Sequence, residues 1–157
     1  MMPQTLSIKA GLKISKAPHD VFEAIVDPVQ MINYFISKST GRMEEGKNVT
    51  WKFPEMEMEF LVRINKIEAD KYISFYWFDF DNTETHVEIT LVPKEDNSTF
   101  VSITEKSRNN DEAGIKWLQG NTEGWANFLA CLKAWLEYRI NLRKNAFDIS
   151  QMPDSNS

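Results

Sequence analysis

The sequence predicts an α+β fold: a curved antiparallel sheet of about seven strands wrapped around a long C-terminal helix, with two short helices after the first strand. Three observations carry this expectation. Residues 5–14, TLSIKAGLKI, alternate apolar and polar side chains, the two-residue period of a half-buried strand. Between Val49 and Ile103 the same period returns in run after run, with breaks short enough for antiparallel hairpins. From Trp125 onward the apolar residues switch to three- and four-residue steps, which makes the final helix the one large cover for the sheet's apolar face.

Taken in order, Leu6, Ile8, Ala10, Leu12 and Ile14 share one face of the first strand. Pro18 then suits a first helical turn, where its missing N–H is harmless. Val21, Phe22, Ile25 and Val26 continue at helical spacing until Asp27-Pro28 stops the helix, because a residue before proline avoids the helical region. A second short helix is expected over about 28–34. Gly41 and Gly46 mark a turn-rich stretch, and Val49, Trp51 and Phe53 define a strand closed by Pro54. Met58, Phe60, Val62 and Ile64 alternate in the next. Ile67 breaks their parity, which predicts a β-bulge at 64–67. Ile73, Phe75 and Trp77 follow, then an Asp79–Asn82 turn, a strand over 84–92 ended by Pro93, a hairpin loop at 95–98 and a strand over 99–106. The long helix is expected over 122–141, capped by Asn121 or Thr122. Its apolar stripe takes in Trp125, Phe128, Leu129, Leu132, Trp135, Leu136, Arg139 and Ile140.

At 157 residues the chain suits one domain, 1–146, followed by a polar tail at 147–157. Formal charge is −5 with no run of Lys or Arg, which argues against nucleic acid as a partner. No apolar run approaches the ~20 residues of a membrane span. No signal peptide is evident, and the single cysteine, Cys131, forms no internal disulfide. These features suggest a cytoplasmic protein.

Specific chemistry is sparse. Two histidines, His19 and His86, and one cysteine lack ligand spacing, so no metal and no cofactor is expected. Cys131 sits at the edge of the helix's apolar face and reads as a small buried hydrophobe rather than a nucleophile. Glu55, Glu57 and Glu59 share a parity and read as a solvated outer face. Glu105 differs. It continues the inward parity of Val101 and Ile103, so it lies either at the sheet's open end or buried with a partner, for which Arg139 and Arg63 are candidates. The aromatics Trp51, Phe75, Trp77, Trp125, Phe128 and Trp135 are by prior a core. They are also the natural wall of a pocket whose polar groups would be Tyr34, Thr85, Glu105 and Asn127.

The chain resembles the helix-grip (START-like, SRPBCC) superfamily, and within it the branch of the activator of Hsp90 ATPase, the AHSA1-like domains. Ala17-Pro18, Val21-Phe22, Ile25 and Asp27-Pro28 resemble the family's opening. Gly46 and Trp51 fit its next step. Ile73, Phe75 and Trp77, then Thr99, Val101 and Ile103, fit two of its strands. Gly124-Trp125, Leu129, Leu132-Lys133 and Leu136 fit its helix. The resemblance spans about 8–140. It implies a helix-grip fold with a cavity between sheet and helix, lined by Tyr34, Trp51, Phe75, Trp77, Thr85, Glu105, Trp125, Phe128, Leu132 and Trp135. The leading expectation is a non-enzymatic protein binding a small hydrophobic or amphipathic molecule there, with no catalytic residue assigned. One alternative is an interaction module for an Hsp90-type chaperone. A second is a cyclase- or hydrolase-type enzyme using Glu105. Monomer and homodimer both remain open.

Overall fold

The computed structural model describes residues 4–148; most of the tail expected at 147–157 lies outside them. The elements run β1 (Thr5–Ile14), α1 (Pro18–Val26), α2 (Pro28–Met31), β2 (Lys38–Ser39), β3 (Asn48–Lys52), β4 (Glu59–Glu68), β5 (Tyr72–Phe78), β6 (Glu84–Lys94), β7 (Ser98–Asn109) and α3 (Glu112–Tyr138). The seven strands form one antiparallel sheet in the order β1-β7-β6-β5-β4-β3-β2. Chain-neighbouring strands pair throughout except at β1, which skips the whole sequence to join β7.

Alternation explains the sheet's two faces. Val87, Ile89 and Leu91 of β6 and Val101, Ile103 and Glu105 of β7 are buried under α3. The expected bulge is present, between Ile64 and Lys66 of β4. The Lys66 N–H and the Asn65 amide both donate to Ser74 Oγ across it. The Asp79–Asn82 turn is closed by Asn82 N–H on Asp79 O and Asp79 N–H on Thr83 O. Arg108 pins the same turn from β7 through Asp79 and Asp81.

Several expectations shift. The second helix is shorter than 28–34, ending at Met31 in hydrogen-bonded turns through Ile36. Pro93 does not end β6, which reaches Lys94 as the sheet's hairpin end. Met58 lies before β4 and is exposed. The largest change is in α3. It starts ten residues earlier than expected, capped by Asp111, whose side chain accepts from the Gly114 N–H at 2.8 Å. Neither Asn121 nor Thr122 is a cap. At 27 residues the helix is about 40 Å long, and it runs alongside β1, from Gly114 beside Asn109 to Lys133 at Lys13. Gly114 has a local reason: a Cβ there would meet Asn109 O at 1.9 Å. Only glycine lets β7 turn into α3 that tightly. At the other end Arg139 stops the helix in the left-handed region, φ 56°, so it does not continue the apolar stripe.

Toward its C-terminal end α3 is tied to the end of β1, the edge strand beside β7. Lys133 Nζ donates to Lys13 O at 3.0 Å and also pairs with Glu137, whose carboxylate accepts from the Ser15 N–H. That proximity keeps Glu137 below its ordinary carboxylate value despite the opposing effect of its burial.

Candidate functional site

The interior beneath α3 is built from one cross-sheet row and one helix face. Register aligns Ile64, Phe75, Val87, Glu105 and Ile8 across five strands. Glu105 is the single acid in that row and is 0% exposed. Its neighbours all donate. Trp77 Nε1 reaches Oε2 at 3.0 Å and Thr85 Oγ1 reaches it at 2.5 Å. Trp125 Nε1 reaches Oε1 at 2.8 Å, and Asn121 Nδ2 reaches Oε1 at 3.1 Å. Indole N–H and amide NH2 groups can only donate, so both carboxylate oxygens act as acceptors. The group therefore stitches β5, β6, β7 and α3 together at one point.

Of the two positions left open for Glu105 the structure shows burial, and one expectation is corrected: neither proposed arginine partners it. Arg63 points outward, paired with Glu84 and stacked over Tyr76. Arg139 lies over the Trp135 ring past the helix end. The partner that sequence reasoning missed is Asn121, which it had assigned to the cap. The available signal was spacing: Asn121 and Trp125 are four residues apart, so they face the same way on a helix. Asn127 is off that face and is not among the Glu105 donors.

Of the expected pocket residues, six aromatics form one contact network. Trp51 meets Phe75 edge-on at 5.5 Å, Trp77 lies 5.5 Å from Trp125, and Phe128 lies 5.4 Å from Trp125 and 5.6 Å from Tyr34. Edge-to-face and tilted pairs at these distances are attractive beyond their area burial. Tyr34 is buried, donates to Ala24 O at 2.7 Å, and its phenol is pushed well above the ordinary value by desolvation. Leu132 is fully buried. Trp135 stands apart: its indole donates to Gln30 of α2. Phe35, not among the expected residues, joins the network through Trp51, Trp125 and Phe128.

These side chains pack closely. The space they leave is about 10 Å3, bordered by Phe35, Trp51, Phe75, Trp125 and Phe128, which is at the threshold for a single water. A ligand-sized space lies just outside. A cleft of about 330 Å3 runs between Ile32, Tyr34, Phe35 and Ile36 on one side and Asn141, Arg143, Lys144 and Phe147 on the other. Phe35 borders both spaces. Glu55, expected on a solvated outer face, instead pairs with Arg143 at this cleft, with both side chains largely covered. The reason is that residues 53–58 leave the strand, so the parity argument no longer applies to Glu55.

No group of metal ligands occurs among the described residues. Cys131 is buried, which pushes its thiol up and away from reactivity. Among the described residues no helix is long and apolar enough to cross a membrane.

The sequence profile of the family described as "Activator of Hsp90 ATPase homolog 1-like protein" matches residues 16–137. The chain belongs to the AHSA1-like family. No curated protein matches it. Among solved structures, the protein SSP2350 from Staphylococcus saprophyticus is 30% identical, covering 88% of this chain and 96% of its own, with a TM-score of 0.77. The Aha1 dimer from Colwellia psychrerythraea is 18% identical, with coverage of 85% and 97% and a TM-score of 0.72. DynU16, from the dynemicin biosynthetic locus, is 18% identical, with coverage of 85% and 48% and a TM-score of 0.76. The last two share the fold. This AHSA1-like chain has the helix-grip architecture: a curved sheet, two short helices and a long closing helix. It is the architecture of a ligand-binding or interaction domain.

Proposed function

We propose that this AHSA1-like protein is a non-enzymatic, cytoplasmic binder of a small, largely apolar molecule. The ligand lodges among the aromatic side chains beneath α3 and reaches them from the cleft past Phe35. The observation that carries the reading is the shared wall: a ligand-sized cleft and the aromatic interior are separated by Phe35. A swing of that ring, with small shifts of its neighbours, joins them. Transfer of apolar ligand surface out of water supplies the affinity, at about 25 cal/mol per Å2. The Glu105 cluster sets the far limit of the site and holds the sheet and helix in place. An acid–base role suits Glu105 poorly, because its oxygens already accept from four donors.

Native mass spectrometry of protein isolated from its host, followed by amide-shift mapping with apolar probes, tests this reading. Retained mass, and shifts at Phe35, Trp51 and Trp125, are expected. Shifts confined to the outer face of the sheet would remove it.

A second reading is an interaction module for an Hsp90-type chaperone. It is favoured by Val29 and Ile32 on α2 and just after it, and by Tyr138, Ile140 and Leu142 at and beyond the end of α3, all exposed near the cleft. Binding to a bacterial Hsp90 with a change in its ATPase rate is the expected result. No binding at tens of micromolar would end this second reading.

A further inference from the structure

The cleft has one wall that is held differently from the rest of the molecule. Past Arg139, residues 141–147 lie beside Phe53 and Glu55. Among the described residues, their backbone hydrogen bonds stay within the segment: Lys144 N–H to Asn141 O and Ala146 N–H to Arg143 O. None joins the segment to the sheet, α1 or α2. Leu142, its one large aliphatic side chain, is exposed, so it anchors nothing in the core.

The polar tie between segment and body is Arg143. Its guanidinium pairs with Glu55 and lies over the Phe53 ring at 5.5 Å, with Phe147 of the segment itself at 4.6 Å. The two charged side chains are only 15% and 17% exposed, so salt screens this pair less than one on the open surface. The closed arrangement is also imperfect. Arg143 Nε is buried without an acceptor, a cost that contact with water removes. A favourable ion pair and an unmet donor on the same side chain leave the closed and open states close in free energy. Segments with few hydrogen bonds to the body are those that open locally at least cost.

We infer that residues 141–147 are a strap that swings over the cleft, and that the Arg143–Glu55 pair is the latch that sets how often it opens. Opening uncovers Ile32, Phe35, Ile36 and Pro54, which line the cleft with it. The strap thus admits a small apolar molecule and then covers it. The inference rests on the proposed route through the cleft and adds the control of that route. It needs no enlargement of the interior, because the cleft of about 330 Å3 already has ligand size.

Relaxation dispersion on the backbone amides of the ligand-free protein reads the strap's motion. Exchange confined to 141–147 and the facing Phe53 and Glu55 is expected. In Glu55→Gln and in Arg143→Met the open population rises roughly three- to tenfold, the worth of one partly covered, charge-assisted ion pair. Glu23→Gln breaks a pair that does not border the cleft and leaves that population unchanged. With butylbenzene as the probe, association and dissociation both quicken by the same factor in the two latch variants, while affinity stays within about twofold. No exchange in the strap, an open population unmoved in both variants, or rates unmoved while the probe binds, overturns the inference and leaves the proposed function standing. Affinity lost through faster dissociation alone makes Arg143 a ligand contact rather than a latch, and also overturns it. Butylbenzene that binds to no form of the protein overturns the access role and the proposed function together. Probe shifts at Phe35 and Phe147 with none at Trp51 and Trp125 remove the interior site and support the strap.

Discussion

Glu105→Gln isolates what the buried carboxylate does. The substitution keeps size and shape but converts one acceptor oxygen into an NH2 donor. In one orientation that NH2 faces Trp125, and in the other it faces Trp77. Thr85 can rotate its hydroxyl to accept, and Asn121 can flip, but an indole N–H has no acceptor capacity. Either way a donor faces a donor. One orphaned buried donor costs about 1–3 kcal/mol, and the remaining bonds lose the charge assistance that roughly doubles their strength. The opposing effect is desolvation, since a carboxylate partnered only by neutral groups is expensive to bury. Four donors should outweigh it, so the net loss is about 2–4 kcal/mol, or a fall in Tm of roughly 5–15 °C for a chain of this size. Urea unfolding and a thermal melt measure it, and the indole resonances of Trp77 and Trp125 should both move. A variant within about 0.5 kcal/mol of the unaltered protein, or more stable than it, would refute the reasoning.

Other substitutions test the helix and the surface pairs. Gly114→Ala should destabilise strongly, by more than about 2 kcal/mol, because its Cβ collides with backbone at 1.9 Å. Gly124→Ala, with nothing near its Cβ, should stabilise by about 0.5–1 kcal/mol; thermal melts of the two variants must move in opposite directions. Asp111→Ala should cost about 1 kcal/mol by removing the cap, and amide exchange should quicken mainly over the first turn of α3. Glu23 is held below its ordinary value of 4.5 by its hydrogen bond to Arg42. The unfolded chain therefore binds more protons near that pH, and the stability from this pair is present above pH 4.5 and lost as pH falls through the lower folded value. The stability gap between the unaltered protein and Glu23→Gln should close over that window; a gap constant down to pH 3 contradicts the assignment.

The fold was legible because its signals are local. Alternation in 5–14 and 72–78 marks strands whose bounds match the structure, and Ile67 betrayed the bulge. The start of α3 was hidden because Gly114, Gly120 and Gly124 weaken the helical pattern over 112–124. The constraint that requires Gly114 is a close approach by Asn109 O, which is a tertiary fact. The site was legible only by parity. Glu105 could be placed on the inner face, but its partners depend on the phase and length of a helix whose start was misplaced. Arg139 illustrates the same limit, because a left-handed residue at the helix end turns it away from the stripe to which spacing assigned it. Glu55 fell outside the method for a simpler reason: alternation carries no meaning once the chain leaves the strand.

The pairing of β1 with β7 has a consequence for how the molecule assembles. Strands β3 to β7 can zip up by successive hairpins, each closing a short loop. β1 has no such local neighbour, because Ile14 must meet Thr99 and Thr5 must meet Asn109. Closing so long a loop is slow relative to hairpin formation. As the chain leaves the ribosome, the first strand emerges early and its only neighbour comes late. An amphipathic segment with both edges unpaired is meanwhile open to wrong partners. Folding of this domain thus finishes at a seam, where β1, β7 and the helix lying along β1 come together, and truncation anywhere before residue 98 should leave the chain without its closure.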